Sequence, residues 1–120
     1  QQLSPRTLTV LKQAMRKGVA VTIATGRMFQ SALPFATELG IELPLITYNG
    51  ALIRQGDTGE TLFHRPIEPE LAQELADLFR QSNWYLQKYV DDRLYWTSGM
   101  VADCIWHRQK NAIWKWSMPG

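Results

Sequence analysis

The sequence predicts an α/β fold, with a parallel core in its first half and a smaller α+β segment after it. Two observations predict this. Up to Gly50, apolar runs bounded by glycine alternate with helix-period segments in the order helix, strand, loop, helix, strand, the signature of parallel strands with crossover helices. From Ala51 onward the texture changes to short strands joined by turn-rich spacers, with one more amphipathic helix among them.

The opening helix is signalled at both ends. Ser4 can cap it, Pro5 suits the first helical position, and Gly18 can close it, while Leu8, Leu11, Ala14 and Met15 follow helical spacing. Val19-Ala20-Val21-Thr22-Ile23-Ala24 reads as a strand buried on both faces, and it stops abruptly in Thr25-Gly26-Arg27. A second helix is predicted from Gln30 to Leu39 with Gly40 as its stop, Pro34 lying in its first turn or kinking it. Leu43 to Thr47 reads as the second buried strand, and Tyr48-Asn49-Gly50 turns the chain.

Ala51 to Arg54 and Glu60 to His64 are predicted strands of a hairpin joined by Gln55-Gly56-Asp57-Thr58-Gly59. Pro69 opens a helix whose Leu71, Leu75, Leu78 and Phe79 share one face. Trp84 to Val90 and Arg93 to Trp96 read as two strands hinged at Asp91-Asp92, and Val101 to Gln109 as a final helix. A strand between Asn111 and Gly120 is a further possibility.

The bulk composition sets limits on function. With 120 residues, 45% of them hydrophobic and 20% charged, the chain has the make-up of a soluble globular protein. No apolar run is long enough to span a bilayer. The formal charge is only +2 and the basic residues are scattered, which speaks against a nucleic-acid partner. Cys104 is the single cysteine, so no internal disulfide or thiolate metal cluster is expected, and a cytoplasmic location fits best.

Ligands of open α/β sheets bind beyond the carboxyl ends of the strands, and Thr25-Gly26-Arg27 stands there. A hydroxyl can donate to a phosphate oxygen, glycine lets backbone amides approach, and arginine grips oxyanions through a planar fork. The start of the next helix adds its positive end. The same three residues would also serve a plain strand-to-helix turn. Asn49-Gly50 has the same two readings, since Asn-Gly is a favoured turn pair.

Three segments fall in a telling order: Leu3-Ser4-Pro5-Arg6-Thr7, then Ile23-Ala24-Thr25-Gly26-Arg27, then Leu45-Ile46-Thr47-Tyr48-Asn49-Gly50-Ala51-Leu52-Ile53. Together they resemble the Cof-type phosphatases of the haloacid dehalogenase-like superfamily, which carry a type IIB cap. His64-Arg65-Pro66 and Tyr89-Val90-Asp91-Asp92-Arg93-Leu94-Tyr95 continue the likeness, which weakens beyond Trp96. The resemblance implies a partial Rossmann-like parallel core over residues 1–66 and part of an α+β type IIB cap over 67–120. It makes Thr25 the catalytic hydroxyl that binds the transferring phosphoryl group. Gly26 and Arg27 would line the phosphate and substrate side, with Asn49 and Gly50 on the adjoining loop.

The same resemblance implies a Mg²⁺-dependent hydrolase of phosphate monoesters, working through an aspartyl-phosphate on small phosphorylated metabolites such as sugar phosphates. That chemistry needs an Asp-x-Asp-Gly-Thr motif before the loop, and the first acidic residue here is Glu38. The magnesium ligands and the nucleophile are therefore expected outside this sequence, as in a chain truncated at both ends and inactive alone. The alternative is a non-catalytic α/β module that binds a phosphorylated ligand or a partner protein. A nucleotide-binding loop is disfavoured, because neither Gly-x-Gly-x-x-Gly nor a Walker lysine pattern is present. The oligomeric state is not legible.

Other reactive groups have bland readings. Asp91 and Asp92 are expected in a solvated turn, with a minor role in substrate choice as the other option. His64 and His107 have no ligand spacing around them, and Cys104 has no indicated histidine partner. The tryptophans gather in the second half, where most are expected to pack.

Overall fold

The computed structural model describes residues 2–97 and 106–108. The chain divides into two compact units, Gln1–Pro66 and Ile67–Gly120.

In the first unit, helix α1 (Pro5–Arg16) begins as its sequence signals. The Ser4 hydroxyl accepts from the Thr7 backbone N–H at 3.1 Å, and Pro5 needs no partner at the first position. Helix α2 (Phe29–Leu39) contributes Phe29, Ala32, Ala36 and Leu39, all buried. Pro34 lies inside α2, beyond its first turn, and cannot donate to the carbonyl one turn back. Gly40 ends the helix in the left-handed conformation at φ 73°, which costs glycine nothing.

Strands β1 (Leu45–Thr47), β2 (Leu52–Arg54) and β3 (Thr61–His64) form an antiparallel sheet in that order. Leu45 faces Arg54 and Thr47 faces Leu52, and the register slips between Ile53 and Arg54 where β3 pairs. The core of this unit is Phe29, Ala32, Ala36, Leu45 and Leu52, with Ile23, Leu33, Ile41 and Tyr48 packed against it. Thr47 is fully buried, and its hydroxyl is satisfied by donating to the Leu52 carbonyl at 3.2 Å.

The predicted first strand is corrected. Residues 19–24 form no regular strand; they meet β1 through one parallel bridge, Ala24 with Ile46. Two backbone bonds of 2.9 Å make that bridge, Ile46 N–H to the Ile23 carbonyl and Thr25 N–H to the Ile46 carbonyl. Nor is the segment buried on both faces: Val19 is exposed and Ile23 is half-buried. The physical reason is that among the described residues it has a ladder neighbour on one edge only, so parallel pairing stays at a single rung.

In the second unit, helix α3 (Pro69–Gln81) has Pro69 at its start, Glu70 in its first turn and Arg80 in its last, each suited to the helix dipole. Leu75 and Phe79 are half-buried, whereas Leu71 and Leu78 remain exposed. Strands β4 (Gln87–Val90), β5 (Arg93–Thr97) and β6 (Trp106–Arg108) form a second antiparallel sheet in that order. The expected helix over residues 101–109 is thus overturned at Trp106–Arg108, which pairs with Thr97, Trp96 and Tyr95. An edge along β5 outweighs the helical spacing there. The other positions of that expectation, and those of a strand after Asn111, lie outside the described residues.

Trp84 is an exception among the tryptophans, most of which were expected to pack: it is 59% exposed and meets Phe79 edge-on at 5.5 Å. Leu94 is buried in β5, and burial together with the neighbouring Tyr85 pushes the Tyr89 hydroxyl well above the usual phenol range.

Asp91 and Asp92 form the two-residue turn between β4 and β5, with Val90 opposite Arg93. Both have positive φ, 50° and 55°, the pattern of a type I′ turn that favours Asn-Gly. Replacing the pair (Asp91→Asn with Asp92→Gly) is expected to stabilise the unit by about 1 kcal/mol, because L-residues pay for left-handed backbone. Urea unfolding measures this, and a lowered midpoint would contradict the turn geometry.

Candidate functional site

The loop after the parallel bridge is built from two segments distant in sequence. Thr25, Gly26 and Arg27 lead into α2, and Tyr48, Asn49 and Gly50 leave β1. Two backbone bonds tie them together, next to the bridge. Tyr48 N–H donates to the Arg27 carbonyl at 3.0 Å, and Asn49 N–H to the Thr25 carbonyl at 3.1 Å. All five residues singled out from the sequence therefore lie in one region.

The second segment bends sharply. Tyr48, Asn49 and Gly50 have φ of 50°, 56° and 95° in succession. Asparagine and glycine tolerate this conformation, but a tyrosine there is strained by about 1–2 kcal/mol. Burial of its ring against the core and its N–H bond to Arg27 offset that strain. Strain of this kind gathers at functional sites. The sequence reading missed Tyr48, although its place before Asn-Gly was the available signal.

The side chains show how the loop can treat an anion. Thr25 Oγ1 accepts the Arg27 backbone N–H at 3.2 Å, which leaves the hydroxyl proton to be donated elsewhere. Thr25 and Arg27 are half-buried, while Gly26 and Asn49 are exposed. Helix α2 starts from Met28, whose side chain makes no capping bond, so no side chain of that residue competes for its first amides. A hydroxyl, a guanidinium and a helix start within one turn of chain suit an oxyanion.

A family model described as haloacid dehalogenase-like hydrolase matches residues 1–116. The chain belongs to the haloacid dehalogenase-like hydrolases. The resemblance to Cof-type members read from the sequence is upheld. Among curated relatives, this hydrolase chain is 30% identical over 103 residues to the HMP-PP phosphatase of Serratia proteamaculans, covering 78% of this chain and 37% of the relative. It is 32% identical over 93 residues to the 5-amino-6-(5-phospho-D-ribitylamino)uracil phosphatase YwtE of Bacillus subtilis, covering 77% of this chain and 31% of that one. A solved haloacid dehalogenase-like hydrolase from B. subtilis superposes with a TM-score of 0.70 at 26% identity, over 82% of this chain and 34% of its own. That match upholds the α/β class. The chain thus spans about a third of the length of the relatives it matches.

The remaining described candidates stand on other elements. His64 sits on β3 opposite Leu52, and His107 on β6 opposite Trp96. Asp91 and Asp92 occupy the hairpin turn of the second unit. Cys104 lies outside the described residues. Among the described residues, no three His, Cys, Asp or Glu side chains gather as a metal site requires, and no helix is long and apolar enough to cross a membrane.

Proposed function

We propose that this hydrolase chain supplies the phosphate-holding part of a phosphatase that acts on small phosphorylated metabolites, sugar phosphates among them. The observation that carries the reading is the Thr25-Gly26-Arg27 loop, braced by three backbone bonds and leading into the start of α2. Its family and the phosphatase names of its relatives support the same reading. In this proposal Gln1–Pro66 is part of the catalytic core and Ile67–Gly120 part of a cap. The protein works in the cytoplasm.

Thr25 donates its hydroxyl proton to an oxygen of the transferring phosphoryl group. The Arg27 guanidinium offsets the growing negative charge. The attacking aspartate and its acid–base neighbour come from residues beyond this sequence. A magnesium ion would supply charge neutralisation to such a reaction, but the residues of this loop do not fit it. Neither 25–27 nor 48–50 contains a carboxylate, so its ligands too belong elsewhere in the complete protein.

The test compares two proteins on a panel of small phosphomonoesters with Mg²⁺. The complete protein containing these residues is expected to release phosphate, and the 120-residue chain alone to release none. Turnover by the chain alone would place the nucleophile within it and sink this division of labour.

A further inference from the structure

Gly26 is bare where the Asn49 side chain comes close. Its backbone lies outside the left-handed region in which Gly18, Gly40, Gly50 and Gly59 sit. A β-carbon at position 26 would instead lie 2.7 Å from Asn49 Oδ1 and 3.4 Å from the rest of that carboxamide. No real β-carbon approaches an oxygen so closely. The Asn49 carboxamide oxygen therefore occupies the space that a side chain at 26 would need, and any other residue would push it off.

Asn49 holds this place through its own backbone. Its left-handed φ of 56° aims its N–H at the Thr25 carbonyl while its side chain turns onto Gly26. One residue thus meets the loop twice, by its backbone hydrogen bond to Thr25 and by its carboxamide in the space beside Gly26. The Thr25 hydroxyl is oriented within the same short arch, where it accepts from Arg27 N–H.

We infer that Asn49 is a positioning residue, whose carboxamide locks against Gly26 to hold the Thr25 hydroxyl in register with the phosphoryl group, and that Gly26 is its receptor. This rests on the proposed phosphatase reading and assigns Asn49 a role other than direct contact with phosphate. The interlock is steric and reciprocal. Losing the carboxamide or adding a methyl group at 26 frees the loop in the same way.

The experiment is a double-mutant cycle in the complete protein, with Asn49→Gly, Gly26→Ala and the pair, read by steady-state kinetics and thermal melting. Both substitutions suit the backbone they enter, and the atom that the new methyl group meets is the end of an exposed side chain. Each single variant is expected to keep its melting temperature and to lose roughly tenfold to a hundredfold in kcat with KM unchanged, the scale of a small misplacement at a reacting centre. The pair should be no worse than the weaker single, because both changes release one lock.

Losses that multiply in the pair, a rise in KM with kcat intact, or two silent single variants would each overturn the inference. If Gly26→Ala fails to fold and Asn49→Gly rescues it, the interlock stands; if the pair also fails, it falls. Thr25→Ala is measured alongside. A silent Thr25→Ala defeats the phosphatase reading itself, whereas a crippled Thr25→Ala with multiplying losses at 26 and 49 defeats only the lock.

Discussion

Thr25→Ala in the complete protein is expected to lower kcat by about 10²–10³, the cost of removing one preorganised donor to a developing oxyanion. KM should change little, since the hydroxyl matters most as charge builds on the phosphoryl oxygens. The geometry gives the reason. Thr25 Oγ1 is already fixed by the Arg27 N–H, and the residue's own amide and carbonyl are both tied to the end of β1 and the turn after it. An alanine keeps the main-chain bonds and deletes the donor, together with the oxygen that accepts from the Arg27 N–H, and the fold should survive. Thr25→Ser keeps the donor and should recover most of the rate. Wild-type turnover in Thr25→Ala, measured on a small phosphomonoester, would show that the loop is a turn and nothing more.

The largest expected loss of stability is at Leu45. It is wholly buried, lies in β1 and belongs to the cluster with Phe29, Ala32, Ala36 and Leu52. Leu45→Ala removes the side chain that the α2 face packs around and leaves a cavity that small neighbours such as Ala32 and Ala36 cannot fill. The expected cost is about 3 kcal/mol, within the usual range for buried leucines. Denaturant titration of the wild-type and variant proteins measures it. A loss below about 1 kcal/mol would mean that the site collapses freely, contrary to this packing. Activity should fall less than in Thr25→Ala, because the Thr25-Gly26-Arg27 loop is joined to the Ile46 backbone and not to the Leu45 side chain.

Much of this was legible in the residues, for identifiable reasons. Helix α1 announces itself through Ser4, Pro5 and spaced leucines, and α3 through Pro69 and its apolar face, because caps and periodicity are local signals. The meeting of Thr25-Gly26-Arg27 with Asn49-Gly50 was implied by the family resemblance, which set Asn49 and Gly50 on the adjoining loop; the residues alone allowed each to be a plain turn. The failures share a cause as well. Residues 19–24 look like a buried strand, yet whether an apolar run forms a ladder depends on neighbours at both edges, which no local pattern records. Trp106–Arg108 sits in a stretch of helical spacing but is claimed by β5, a pairing set by tertiary context. The carboxamide of Asn49 on Gly26 was invisible because it is a contact between residues far apart in the chain. Only the bare Asn-Gly and Thr-Gly-Arg letters hinted at it.

The single parallel rung between Ala24 and Ile46 also bears on how the protein acquires its site during folding. Antiparallel hairpins such as β1–β2 close over short loops and can pair early. The rung cannot, because α2 and the turns around it must first fold back and bring the two segments side by side, at the entropic cost of a longer closure. Thr25 and Asn49 meet only once that crossover has docked. The Thr25-Gly26-Arg27 loop is thus a late product of assembly, and a short peptide carrying Thr-Gly-Arg would hold none of the geometry that the folded unit gives it.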